Sequence, residues 1–246
     1  MSGHSKWSTI KHKKAATDKK RGQMFSKLSR AIMVAAKEGG PDPDGNAALA
    51  NAIVKAKAYS LPKDNIERAI QKGAGGGEGE HYETVVYEGF GPGGAALVVE
   101  ALTDNRNRTA ANVRSIFTKA GCSLGNPGSV AWKFDKKGVI ALDGVADGDE
   151  LLLAAADAGA EDADGEDGIY SVTTDPAALG AVRNALEAGG YAVASAELTL
   201  VPKQAPDIDD EDARKLLKLV DALEDDDDVQ DVVFDAEIPD TVLAEQ

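Results

Sequence analysis

Cysteine is nearly missing from this chain: Cys122 stands alone among 246 residues. A single cysteine excludes an intrachain disulfide and any multi-cysteine zinc site, and it fits a reducing compartment. Histidine is almost as scarce, and His4, His12 and His81 show no metal-ligand spacing. No stretch approaches the ~18 uninterrupted apolar residues of a membrane span. The N-terminus is basic but lacks the apolar segment of a secretory signal. Together these features predict a cytoplasmic protein with no membrane partner. Aromatics are only 5% of a chain that is 43% hydrophobic, so its cores should be built from Ala, Val, Leu and Ile. Acids are missing from one place only. Residues 1–30 hold nine basic residues and one acid, Asp18.

That local lack exposes a charge split. Residues 1–75 carry 15 Lys/Arg against 6 Asp/Glu, while residues 76–246 carry 12 against 36. The overall charge of −15 therefore hides a cationic arm on an anionic body. Such an arm attracts phosphate and the body repels it, so polyanion contact is expected at one end. The arm's cations are Lys6, Lys11, Lys13, Lys14, Lys19, Lys20, Arg21, Lys27 and Arg30, with His12 and the aromatic Trp7 among them. Ammonium groups bind phosphate as point charges, and an indole can stack on an unpaired base. Lys outnumbers Arg seven to two in the arm, which favours backbone contact over bidentate base reading. The bland alternative is a solvated charged tail.

Apolar periodicity predicts three helices after the arm, over 24–38, 46–59 and from Ser60 to near Lys72. Phe25, Leu28, Ile32 and Ala36 form the first stripe, with Lys27 and Arg30 off it. Ser60 is the expected N-cap of the third helix, with Pro62 in its first turn. A Gly-rich linker occupies 73–79. Beyond it, strands are expected at 84–87, 95–102 and 130–134, with a helix at 105–120. A second group follows, with strands at 139–142, 169–173 and 194–201 and helices at 149–158 and 176–188. A helix at 212–223 and a strand at 229–234 close the chain and complete the first strand group. The predicted class is α+β. Its domains are a basic arm plus helical domain (1–75), a discontinuous α+β domain (82–137 and 204–240) and an α+β domain inserted within it (138–203).

Other motifs divide between a chemical and a plain reading. Arg106, Arg108 and Arg114 lie in a helix that starts after Asn105, a candidate secondary anion site. Helix capping with a salt bridge to the acidic body explains the same residues. The run GFGPGG (89–94) matches a dinucleotide-binding pattern, but a strand follows it and Pro92 interrupts it, so it reads as a hairpin turn. The acids near 207–212 and 225–228 lack the spacing of a calcium loop and read as solvated surface. No nucleophile elbow is present, and Cys122 has no activating neighbour. No catalytic residue, metal site, cofactor or small-molecule substrate is indicated. An adaptor whose arm docks an acidic protein remains a rival.

Five ordered segments resemble one family: SGHSKW…IKHKK (2–14), LPKDNIERAIQKG (61–73), YEGFGPGG (87–94), LTDNRNRT (102–109) and LGNPGSVAWKF (124–134). Together they are similar to the YebC/PmpR family, which includes the mitochondrial translational activator of cytochrome c oxidase. The resemblance implies a helical N-terminal domain and two α+β domains, one inserted in the other. It also implies a non-enzymatic regulator of gene expression. Bacterial members are described as DNA-binding transcriptional regulators; the mitochondrial relative resembles a translation factor at the ribosome. The expected partner is thus nucleic acid, DNA or rRNA, with the ribosome as the alternative target.

Overall fold

The computed structural model describes residues 18–75 and 81–245. Helix α1 spans Asp18–Gly39 and buries Leu28, Ile32, Ala35 and Ala36 on one face. It begins ahead of the expected boundary because its first turns carry Lys19, Lys20 and Arg21, which add no apolar period. Helix α2 is Ala47–Ala58 and helix α3 is Lys63–Ala74. Asn46 joins α1 to α2. Its side chain accepts from Leu49 N at 3.1 Å, and its amide donates to the carbonyls of Ala35 and Gly40 at 2.8 Å each. One side chain thereby satisfies an N-terminal donor of α2 and carbonyls at the end of α1. Pro62, not Ser60, takes the N-cap position of α3; Ser60 sits earlier at φ 59°. Gly73 lets α3 lie directly on α1, since a Cβ there would meet the Met33 carbonyl and Ala36.

The first sheet has the order β3-β1-β2-β8. Strand β1 is Glu83–Phe90 and β2 is Ala96–Thr103, paired antiparallel from Glu83↔Thr103 to Phe90↔Ala96. The Gly/Pro run makes the turn, with Gly93 and Gly94 at φ 67° and 76°. Helix α4 (Arg106–Lys119) follows, then β3 (Ser123–Leu124). Phe117 of α4 packs so closely on Gly89 that a Cβ there would collide with its ring. A second sheet has the order β5-β6-β4-β7. It comprises β4 (Phe134–Leu142), β5 (Asp162–Glu166), β6 (Ile169–Thr174) and β7 (Val193–Pro202), with helices α5 (Gly148–Asp157) and α6 (Leu179–Ala188). Ile140, Leu142, Leu151, Val172, Val182 and Leu186 fill its core. Helix α7 (Asp210–Glu224), β8 (Val229–Phe234) and the short α8 (Asp240–Leu243) end the chain. Strand β8 returns to pair antiparallel with β2.

Two expectations about strands fail. Residues 131–133 form a 3-10 turn rather than a strand, and β4 runs unbroken through Asp135–Gly138, between the two separate strands expected at 130–134 and 139–142. The cause of the first is Glu88, whose carboxylate captures the N–H groups of Val130 and Ala131. The second depends on Gly138: a Cβ there would clash with Thr174 and Leu179. Strand β5 is unexpected because DADGE has no apolar alternation; it is held as a hairpin to β6 through Asp167 and Gly168 at positive φ.

The chain forms two compact units, Met1–Gly75 with Lys136–Leu200, and Gly76–Asp135 with Val201–Gln246. Within the first, Val54 packs against the second sheet's core and Lys55 Nζ lies 2.8 Å from Glu197. Among the described residues no helix is long and apolar enough to cross a membrane.

Candidate nucleic-acid interface

Of the arm residues expected to contact nucleic acid, Lys6, Trp7, Lys11, His12, Lys13 and Lys14 lie outside the described residues. Lys19, Lys20, Arg21, Lys27 and Arg30 lie on α1. Arg21 is exposed and Arg30 partly so. Lys27 is different: it is buried, at 7% exposed. Further along the helices, Lys37, Lys57 and Lys72 are exposed and make no ion pair among the described residues. Lys63 meets Glu67 at 3.5 Å, a loose exposed pair. Among the described residues, the helical region thus presents several cations with no carboxylate partner. An exposed pair of this kind contributes about 0–1 kcal/mol at most.

The second group behaves otherwise. Asn105 caps α4 by accepting from Arg108 N at 3.1 Å. The Arg108 guanidinium sits 2.8 Å from Asp104 and 2.7 Å from Asp228. Buried Asp228 also accepts from the Thr109 hydroxyl at 2.7 Å. These carboxylates hold the Arg108 charge, and its pKa is raised above the ordinary guanidinium value chiefly by its hydrogen bond to Asp228. Arg106 lies 4.0 Å from Glu83. Arg114 is exposed and has no ion pair among the described residues. Capping plus a salt bridge therefore describes Arg108, and taking an outside anion would break its ion pair with buried Asp228. Asn112, a further amide on α4, is bound to Asp226 at 3.1 Å.

One built element went unassigned at the level of sequence. Glu88, on β1, is buried and accepts three backbone N–H bonds, from Gly128 at 2.6 Å, Val130 at 2.7 Å and Ala131 at 2.8 Å. Burial pushes its carboxyl up, but the three donors outweigh burial and leave it below its ordinary value. The loop it fixes ends in Trp132, which is 66% exposed. A tryptophan flanked by Ala131 and Lys133, after a Gly/Pro/Ser loop, is the signal that marks it. Among the described residues no group of three or more His, Cys, Asp or Glu is placed to hold a metal ion.

Known proteins share this sequence and fold. Residues 5–76 match the family model described as TACO1/YebC protein N-terminal domain, and residues 82–236 match TACO1/YebC second and third domain. A relative from Trichlorobacter lovleyi is 55% identical over 97% of this chain and 96% of its own, and one from Geobacter sulfurreducens is 54% identical over the same shares. Both carry the name probable transcriptional regulatory protein. The crystal structure of the conserved hypothetical protein Aq1575 from Aquifex aeolicus superposes with TM-score 0.82 at 46% identity, covering 91% of this chain and 93% of that one. Two family models spanning most of the sequence, and relatives above half identity along its length, make this chain a member of the TACO1/YebC family.

Proposed function

We propose that the protein is a non-enzymatic, cytoplasmic nucleic-acid-binding regulator of gene expression that contacts DNA through its N-terminal arm and helical region. The observation that carries this is the charge split: 15 Lys/Arg against 6 Asp/Glu in residues 1–75, and 12 against 36 beyond. The phosphate-binding end is confined, and the acidic body limits where the protein settles on a polyanion. The names of the relatives, probable transcriptional regulatory protein, support the transcriptional form of this reading.

A second reading, a ribosome- or rRNA-associated translation factor, is favoured by α4. There Asn105, Arg108 and Asn112 are engaged by the protein itself, while Arg114 is exposed and has no ion pair among the described residues. An arm dominated by lysine then contacts backbone rather than sequence. Ultraviolet crosslinking in cells, followed by sequencing of both recovered DNA and RNA, tests the two. A few enriched promoter fragments without RNA support transcriptional regulation. Enrichment of one rRNA site supports the ribosomal form, and recovery of neither overturns both.

A further inference from the structure

We propose that Trp132 is a stacking platform for an unpaired base, a second nucleic-acid contact on the acidic body that is separate from the arm. The inference rests on the nucleic-acid reading above and adds to it the strandedness of the target.

Trp132 is the most exposed aromatic side chain among the described residues, at 66%. Its exposure comes with fixed placement. The indole N–H donates to the Ser129 carbonyl at 3.1 Å, so the polar edge is already engaged. What the residue has left to offer is ring surface. The loop beneath it hangs on the Glu88 carboxylate through three backbone N–H bonds. Gly125 lies so close to Ser129 that a Cβ would collide with it, and Gly128 sits at φ 86°. An aromatic pre-set in this way loses little conformational freedom when a base stacks on it.

A cation is held on the backbone of the same residue. Lys203 Nζ donates to the Trp132 carbonyl at 2.9 Å, and its side chain is 49% exposed. Its one carboxylate contact among the described residues is Asp135 at 3.4 Å, itself half-exposed. That pair is weak enough to exchange for a phosphate. Lys133, by contrast, is held by buried Asp235 at 2.7 Å and anchors the turn. An exposed ring together with an ammonium on the same turn is the combination that binds single strands without sequence preference. The chain around the ring, Ser129, Ala131, Lys133 and Asp135, is small or charged, whereas a protein interface of this kind has an apolar centre. In a duplex the base faces are stacked on each other, so the contact selects unpaired segments.

The test uses the full chain with Trp7→Phe, which keeps a ring at position 7 and leaves Trp132 as the sole tryptophan. Emission from Trp132 is followed while oligo(dT), oligo(rU) or a blunt DNA duplex is added, and binding is measured separately by anisotropy of labelled strands. The single strands should quench Trp132 to saturation, and the duplex should bind without quenching. In the same background, Trp132→Ala should weaken single-strand binding about tenfold, with duplex binding unchanged and Trp132→Phe restoring most of the loss. Single strands that bind with Trp132 emission unaltered, or equally well to Trp132→Ala, overturn the inference and leave the arm reading standing; such a result would point to a protein partner for the ring. Failure of every strand and duplex to bind overturns both.

Discussion

A carboxylate in a nearly dry site has to be matched by donors, and at Glu88 the match is three backbone N–H groups. Those donors hold the group below its ordinary pKa despite burial. A lowered folded value means that stability is fully present above the unfolded value, about 4.3, and is lost as pH falls through the folded one. Glu88→Gln has one carbonyl oxygen for three donors and should cost about 1–3 kcal/mol at neutral pH. Thermal unfolding of both proteins from pH 7 to pH 3 checks this: the gap between them should shrink as the solution becomes acid. A constant gap would mean that the carboxylate charge is irrelevant. Residue-scale facts of this sort were out of reach in the sequence. Nothing there says that Asp228, 120 positions beyond Arg108, closes on it, so capping and anion binding stayed equally open. Lys27 lies off the expected apolar stripe and is buried all the same. Exposure of Trp132 depends on where Glu88 pulls the loop, which local pattern does not encode.

Helices were readable because apolar residues at 3.6-residue spacing record a buried face; α3, α4 and α7 lie within a few residues of where periodicity puts them. Strands were readable only where alternation was strong. The edge strand β5 and the two-residue β3 have none, and the DKKG stretch inside β4 has no apolar alternation, its glycine serving a packing contact. Between elements, Asn46 joins α1 to α2 through one side chain. Asn46→Ala removes a cap and strands two carbonyls, and should destabilise the protein by about 2 kcal/mol. Urea unfolding followed by far-ultraviolet circular dichroism measures it; a loss under about 0.5 kcal/mol would show that solvent replaces these bonds.

At the scale of the whole molecule, composition was the better guide. The α+β class and the order of helical region then sheets follow from where the pattern changes period after residue 75. The packing of the helical region against the second sheet, through Val54 and Lys55, joins segments too distant in sequence to be paired by inspection. Charge segregation needs no structure to be seen, and it sets the expected energetics. If six or more phosphates are neutralised, log affinity should fall with log salt at a slope of about −5 on duplex DNA and about −4 on single strands. A slope near −1 would leave the arm with too few contacts to be the main interface. The most direct measurement compares the full chain with a variant carrying Lys11→Glu, Lys13→Glu, Lys14→Glu, Lys19→Glu and Lys20→Glu. Nucleic-acid affinity at fixed salt is measured by anisotropy, with circular dichroism confirming the fold. The charge-reversed protein should stay folded and lose at least about a hundredfold in affinity, well over half of a six-phosphate contact. A folded variant that binds as tightly as the parent would contradict the assignment of the N-terminal arm as the nucleic-acid-binding surface.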